Sequence, residues 1–293
     1  MRRFSFIKLD VFTRRPLEGN QLAVLTAARG LTSAQMQALA REMRLSETTF
    51  ILPRDRATEK KHGIKVRIFT PEEELPFAGH PTLGTAFVLR GGSAKKNEIV
   101  LELKVGSIPV TFSKRNGAVF GEMRQRDPEF GLTHSPEAVA RALGLPVTAL
   151  DSRFPVQTVS TGVPFTIVPL ASLETLRTIA FDFHRASQYM EKSDAKFFYL
   201  VCRETEARGT TLRARMIFYN GEDPATGSAA GCAAAWMVAH GILAPEKQGL
   251  IEQGVEMKRR SLIYVRAAKT GDRVRDVRVG GHVVEIMRGV VTL

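Results

Sequence analysis

A chain of 293 residues, 44% apolar and 25% charged, has the make-up of a globular protein, enough for one large domain or two of about 150 residues. Its 24 glycines and 14 prolines are too few for a collagen-like or low-complexity chain. No run of 18 residues lacks a polar group, which argues against a helical membrane span. The 42 Lys and Arg outnumber 30 Asp and Glu, a formal charge of +12 that would suit nucleic acid, an anionic surface or an acidic small substrate. Much of the excess lies between Lys258 and Arg278, where charges alternate with Leu262, Ile263, Val265, Val274, Val277 and Val279. That alternation reads as the wet face of strands, and no zinc-finger, helix-turn-helix or RNP-like pattern supports a nucleic-acid groove. Lys8 and Asp10 interrupt the first apolar run before a signal peptide could form. Two isolated cysteines, Cys202 and Cys232, make neither a disulfide framework nor a zinc site, and a reducing, cytoplasmic setting is expected.

In chain order, Phe4 to Val11 and Gln21 to Leu25 read as strands. Thr32 to Arg44 reads as an amphipathic helix: Thr32 and Gln35 form a capping box, and Met36, Leu39, Ala40 and Met43 share a stripe. Thr48 to Leu52 and Ile64 to Phe69 are strands. A helix is expected from Pro81, with Pro at its first position, to Gly91-Gly92. Glu98 to Lys104, Ile108 to Phe112 and Ala118 to Met123 follow as strands, and Ser135-Pro136-Glu137 opens a helix that Gly144 closes. Further strands are expected near 155–160, 164–169, 196–202 and 211–218, then a helix from Pro224 and strands to the C-terminus.

This order nearly repeats. Gly19-Asn20-Gln21 matches Gly162-Val163-Pro164, and His80-Pro81 through Gly84 matches Asp223-Pro224 through Gly227, all at a separation of 143 positions (162 − 19, 223 − 80, 227 − 84). Each second motif follows an Arg-containing strand ending in Ile-Phe. The pattern reads as an internal duplication, with halves at 1–125 and 126–293 and room for the last strands to cross back to the first.

The duplication suggests chemistry. His80 and Asp223 would stand near helix N-caps, beside Gly84 and Gly227 and several hydroxyls, where unpaired N–H groups attract a carboxylate. If the two helix starts face each other across a cleft, a small acid could be held between a His and an Asp, and a proton beside the carboxylate could be moved. Glu47 is a third candidate: between a helix and a strand it occupies a turn with apolar neighbours, where partial burial would raise its pKa. At the same separation its counterpart is Met190, which cannot titrate, so the carboxylate belongs to one copy alone.

The stretches Leu17-Glu18-Gly19-Asn20, Arg44 to Phe50, Glu74 to Pro81 and Glu222 to Gly231 resemble the phenazine-biosynthesis isomerase (PhzF-like) family, over essentially the whole chain. The resemblance implies an α/β (α+β) fold of the diaminopimelate epimerase-like kind: two pseudo-symmetric halves, each a curved sheet or partial barrel around a central helix. It implies a cofactor-independent isomerase with no metal, acting on trans-2,3-dihydro-3-hydroxyanthranilate or a related amino acid. Carried over by motif, Glu47 would take and return the proton, His80 and Asp223 would assist, and Gly79, Gly227, Ser228 and Ser46 would bind substrate. Family members are commonly homodimers. Phe77 to Gly84 and Glu222 to Ser228 contain no Cys, which argues against a two-thiol racemase; Cys232 reads as a small buried apolar group. Two alternatives stay open: a racemase with His80 and Asp223 as its two bases, and a basic binding protein without catalysis.

Overall fold

The computed structural model describes residues 1–92, 97–115, 117–218 and 221–293. The chain divides into two compact units, 1–124 with 280–293, and 125–279.

The first unit opens with β1 (Arg3–Val11), β2 (Asn20–Leu25), α1 (Ser33–Met43), β3 (Glu47–Ile51), α2 (Arg56–His62), β4 (Ile64–Phe69) and β5 (Glu74–Leu75). It continues with α3 (Gly79–Arg90), β6 (Glu98–Leu103), β7 (Gly106–Arg115) and β8 (Ala118–Arg124). The expected capping box of α1 is present, with both Thr32 and Gln35 bonds made, and Met36, Leu39 and Ala40 are buried. β1 pairs antiparallel with β2, β2 parallel with β3, and β3 antiparallel with β4. β4 pairs antiparallel with β5 and parallel with β6, after which β6, β7 and β8 run antiparallel. These strands wrap α3, which touches β1, β2, β3, β6, β7 and β8. The helix is buried nearly all round because it carries almost no polar face.

The second unit holds β9 (Glu129–Thr133), α4 (Pro136–Leu143), β10 (Gln157–Ser160), β11 (Pro164–Leu170), α5 (Leu173–Thr178), α6 (Phe183–Met190) and β12 (Phe197–Cys202). Next come β13 (Leu212–Phe218), β14 (Gly221–Asp223), α7 (Gly227–Ala239), β15 (Gly249–Gln253), β16 (Ser261–Thr270) and β17 (Arg273–Gly281). The sheet pattern repeats: β10 antiparallel to β11, β11 parallel to β12, β12 antiparallel to β13, and β13 antiparallel to β14 but parallel to β15. α7 is the counterpart of α3, packed on β10, β11 and β16. The basic stretch after Lys258 falls on β16 and β17, where Ile263, Val265, Val274, Val277 and Val279 are buried. The last strand, β18 (Val283–Thr292), belongs to the first unit and pairs antiparallel with β1.

This repeated α/β plan is the expected fold class, but residue equivalence between the copies differs from the expectation. Arg67 grips Glu74 with two bonds of 2.8 and 2.7 Å, and Arg215 grips Glu222 with two of 2.9 and 2.8 Å. Phe69 faces Glu74 across one hairpin as Ile217 faces Glu222 across the other. These pairs, and the first helical residues Gly79 and Gly227, stand 148 positions apart (215 − 67, 222 − 74, 227 − 79). So Asp223 matches Leu75, and His80 matches Ser228. The separation of 143 holds only as far as β2 and β11, because the crossover that follows carries one helix in the first unit and two, α5 and α6, in the second. Gly84 lies inside α3, where a Cβ would come within 2.6 Å of the Leu22 side chain and 3.0 Å of Val11. Its lack of a side chain serves helix–strand packing.

Candidate active site

In the first unit Glu47 is the first residue of β3, beside Leu22 of β2, and only 7% exposed. His80 is the second residue of α3 and 2% exposed. The fold brings them together: His80 Nε2 lies 3.3 Å from Glu47 Oε2. On the other side of the ring the Asn20 amide nitrogen lies 3.1 Å from Nδ1. Gly79 opens the same helix, and Ser46, half-buried, precedes Glu47. The expected turn at Glu47 is thus a buried strand start. Its sheet counterpart is not Met190 but Phe197, since Leu22 faces Glu47 as Phe165 faces Phe197. The carboxylate remains a property of one copy.

Burial pushes the His80 imidazole down from 6.5 to about 3, against a smaller upward pull from a backbone hydrogen bond at Gln21. The ring is therefore neutral near pH 7. As pH falls, the unfolded chain binds this proton first, so stability is lost from about pH 6.5 downward, at up to about 1.4 kcal/mol per unit. Relative to a His80→Gln variant, the protein is expected to lose roughly 2 kcal/mol between pH 7 and pH 5 in urea melts. A difference that stays constant with pH would mean the folded ring is as basic as a free one.

In the second unit Asp223, 6% exposed, ends β14 and accepts a 2.6 Å hydrogen bond from the Thr226 hydroxyl. Gln253, fully buried, ties this loop together. Its amide nitrogen donates to the Asp223 carbonyl (2.7 Å) and to Thr226 Oγ1 (3.0 Å); its oxygen accepts from the Thr226 N–H (3.2 Å) and the Tyr199 hydroxyl (3.0 Å). Gly227 and Ser228 are the first two residues of α7, both buried. Burial raises Tyr199 well above 10, with the Asp223 charge adding to it, so the phenol is a fixed donor. Burial also pushes the Cys232 thiol up to about 12, which keeps it an inert core group as expected.

The helix starts differ from the expectation in one informative way. The N-caps are Ala78 and Thr226, not His80 and Asp223, and Pro81 is the third helical residue. Neither N-cap makes a side-chain capping bond: Ala78 has no acceptor, and the Thr226 hydroxyl is turned to Asp223. The other five α-helices among the described residues are all side-chain capped, by Thr32, Asp55, Ser135, Ser172 and Asp182. An uncapped, buried helix start presents N–H donors and positive potential suited to an anion. Sequence reasoning assigned no role to Asn20, Gln253 or Tyr199; Asn20 stood inside a motif stretch, and Gln253 and Tyr199 carried no signal.

Among the described residues no group of three or more His, Cys, Asp or Glu could hold a metal ion, and no helix is long and apolar enough to cross a membrane. The family model described as phenazine biosynthesis-like protein matches residues 9–289. The chain is 38% identical to an uncharacterized isomerase of Mesorhizobium japonicum, over 99% of each chain. It is 36% identical to the trans-2,3-dihydro-3-hydroxyanthranilate isomerase of Pseudomonas chlororaphis, over 98% of this chain and 99% of that one. Among solved structures, a PhzF-family phenazine biosynthesis protein of Bacillus anthracis superposes over 100% of both chains with a TM-score of 0.87 at 28% identity.

Proposed function

The chain belongs to the phenazine biosynthesis-like protein family and is an isomerase, and from that premise we propose that it moves a proton between carbons of trans-2,3-dihydro-3-hydroxyanthranilate or a closely related small amino acid, with Glu47 as the acid/base. The observation that carries this reading is the buried pair of Glu47 and a neutral His80, 3.3 Å apart. A carboxylate shielded from water takes a proton from one carbon, becomes a carboxyl group, and returns the same proton to another carbon, so no co-reactant is consumed. A neutral imidazole beside it holds the carboxylate and its proton in place without an ion pair's charge. The start of α3 and the start of α7 are each uncapped and each suits an anion; what the family resemblance adds is that Gly79, Gly227, Ser228 and Ser46 bind substrate and Asp223 assists protonation. The reading includes a cytoplasmic homodimer that needs no cofactor.

The test is turnover of trans-2,3-dihydro-3-hydroxyanthranilate in deuterium oxide, followed by NMR and mass spectrometry. The double bond is expected to shift, with part of the substrate's own hydrogen retained in the product because one residue carries it. Inversion at an α-carbon with the double bond unmoved and full deuterium uptake there would instead indicate two bases, His80 and Asp223.

A further inference from the structure

We propose that Asn20 is a positioning residue that holds His80 as the Nε2–H tautomer, so that the ring has one working nitrogen and that nitrogen faces Glu47. Asn20 begins β2, opposite Val11 of β1, and is fully buried. A side-chain amide nitrogen donates and cannot accept, so with Asn20 Nδ2 at 3.1 Å the His80 Nδ1 is the accepting, unprotonated nitrogen. In a neutral imidazole the hydrogen then sits on Nε2, the atom 3.3 Å from Glu47 Oε2. Protonating Nδ1 would set two N–H groups against each other between two buried side chains. The same contact therefore opposes the doubly protonated ring, in the direction that burial already drives it.

The arrangement sorts the roles in the pair. An Nε2–H ring turns its hydrogen toward the Glu47 carboxylate, 3.3 Å away, before the reaction, and after Glu47 has taken the substrate proton that nitrogen still carries its own hydrogen. It cannot take that proton from Glu47, because its only basic nitrogen is turned away to Asn20. The proton thus stays on the carboxyl group until it is returned to substrate, which a base at His80 Nε2 would prevent. The inference rests on the proposed role of Glu47 for its meaning, but the tautomer is measurable without it.

The experiment is two-bond proton–nitrogen correlation NMR of the ¹⁵N-histidine-labelled protein at neutral pH, with the His80 signals assigned by their loss in His80→Gln. The expected spectrum has hydrogen on Nε2 and a bare Nδ1. In Asn20→Asp the new carboxylate accepts from the ring, so Nδ1 gains a hydrogen, and kcat falls on the order of a hundredfold or more with KM little changed, as a catalytic imidazole held in the wrong tautomer behaves. A wild-type spectrum with hydrogen on Nδ1 overturns the proposal, as does an Asn20→Asp spectrum identical to wild type. If Asn20→Asp does not fold, the wild-type spectrum decides alone. Full activity in Glu47→Gln alongside an Nε2–H ring would sink the catalytic reading of Glu47 and leave this inference standing.

Discussion

Replacing Glu47 with Gln is expected to lower kcat by about 10²- to 10⁴-fold, the range spanned by a positioned general acid or base. The substitution keeps the side chain's shape beside the His80 ring, whose Nε2 lies 3.3 Å from Glu47 Oε2. It removes only the capacity to take up and release a proton. Thermal stability, circular dichroism and substrate binding are expected to match the parent, so the loss falls on kcat. Steady-state kinetics with the dihydrohydroxyanthranilate, paired with a binding measurement on the variant, checks this. Undiminished turnover would remove Glu47 from the mechanism, and a variant that neither folds nor binds would show that the carboxylate is structural.

The largest expected stability effect lies at Arg213. This guanidinium is 2% exposed and bonds Glu252 at 2.9 Å and Glu256 at 2.6 Å; Glu252, 3% exposed, also receives Arg260. Arg213→Ala strips two carboxylates of a shared cation in a nearly dry place and is expected to cost about 3–5 kcal/mol, read as a lowered urea midpoint. Activity is expected to fall with it, because Glu252 adjoins Gln253, whose amide bridges Asp223 and Thr226. A loss below about 1 kcal/mol would mean that the cluster is as weakly coupled as an exposed ion pair.

Where a residue's surroundings are encoded locally, the sequence was readable. The capping box of α1, the Ser135 and Gly144 ends of α4, and the alternation along β16 all appear as expected. Three helices escaped. α2 buries no residue, so it carries no apolar stripe, and α5 and α6 are short segments announced only by Ser172 and Asp182. β9 also escaped, since all five of its residues are exposed and nothing alternates. In the site, Glu47, His80, Asp223, Gly227 and Ser228 could be named from motifs. Their partners could not: Asn20 on β2 reaches His80 on α3 across 60 positions and Gln253 on β15 reaches Asp223 on β14 across 30, contacts that only the folded arrangement of strands and helix creates. The false match of His80 with Asp223 has a similar origin. One separation was carried past a crossover whose length differs between the copies, and a mid-helix Gly84 stood in for a helix-opening glycine.

The twin arginine–glutamate forks bear on engineering. Each clamps a hairpin, and from Glu74 to Gly79 and from Glu222 to Gly227 the connecting peptide has the same length. The two loops are sockets of one gauge, in which Leu75, Ala78 and His80 stand where Asp223, Thr226 and Ser228 stand in the other copy. An exchange of side chains between them at matched positions therefore alters no loop length and leaves both forks in place.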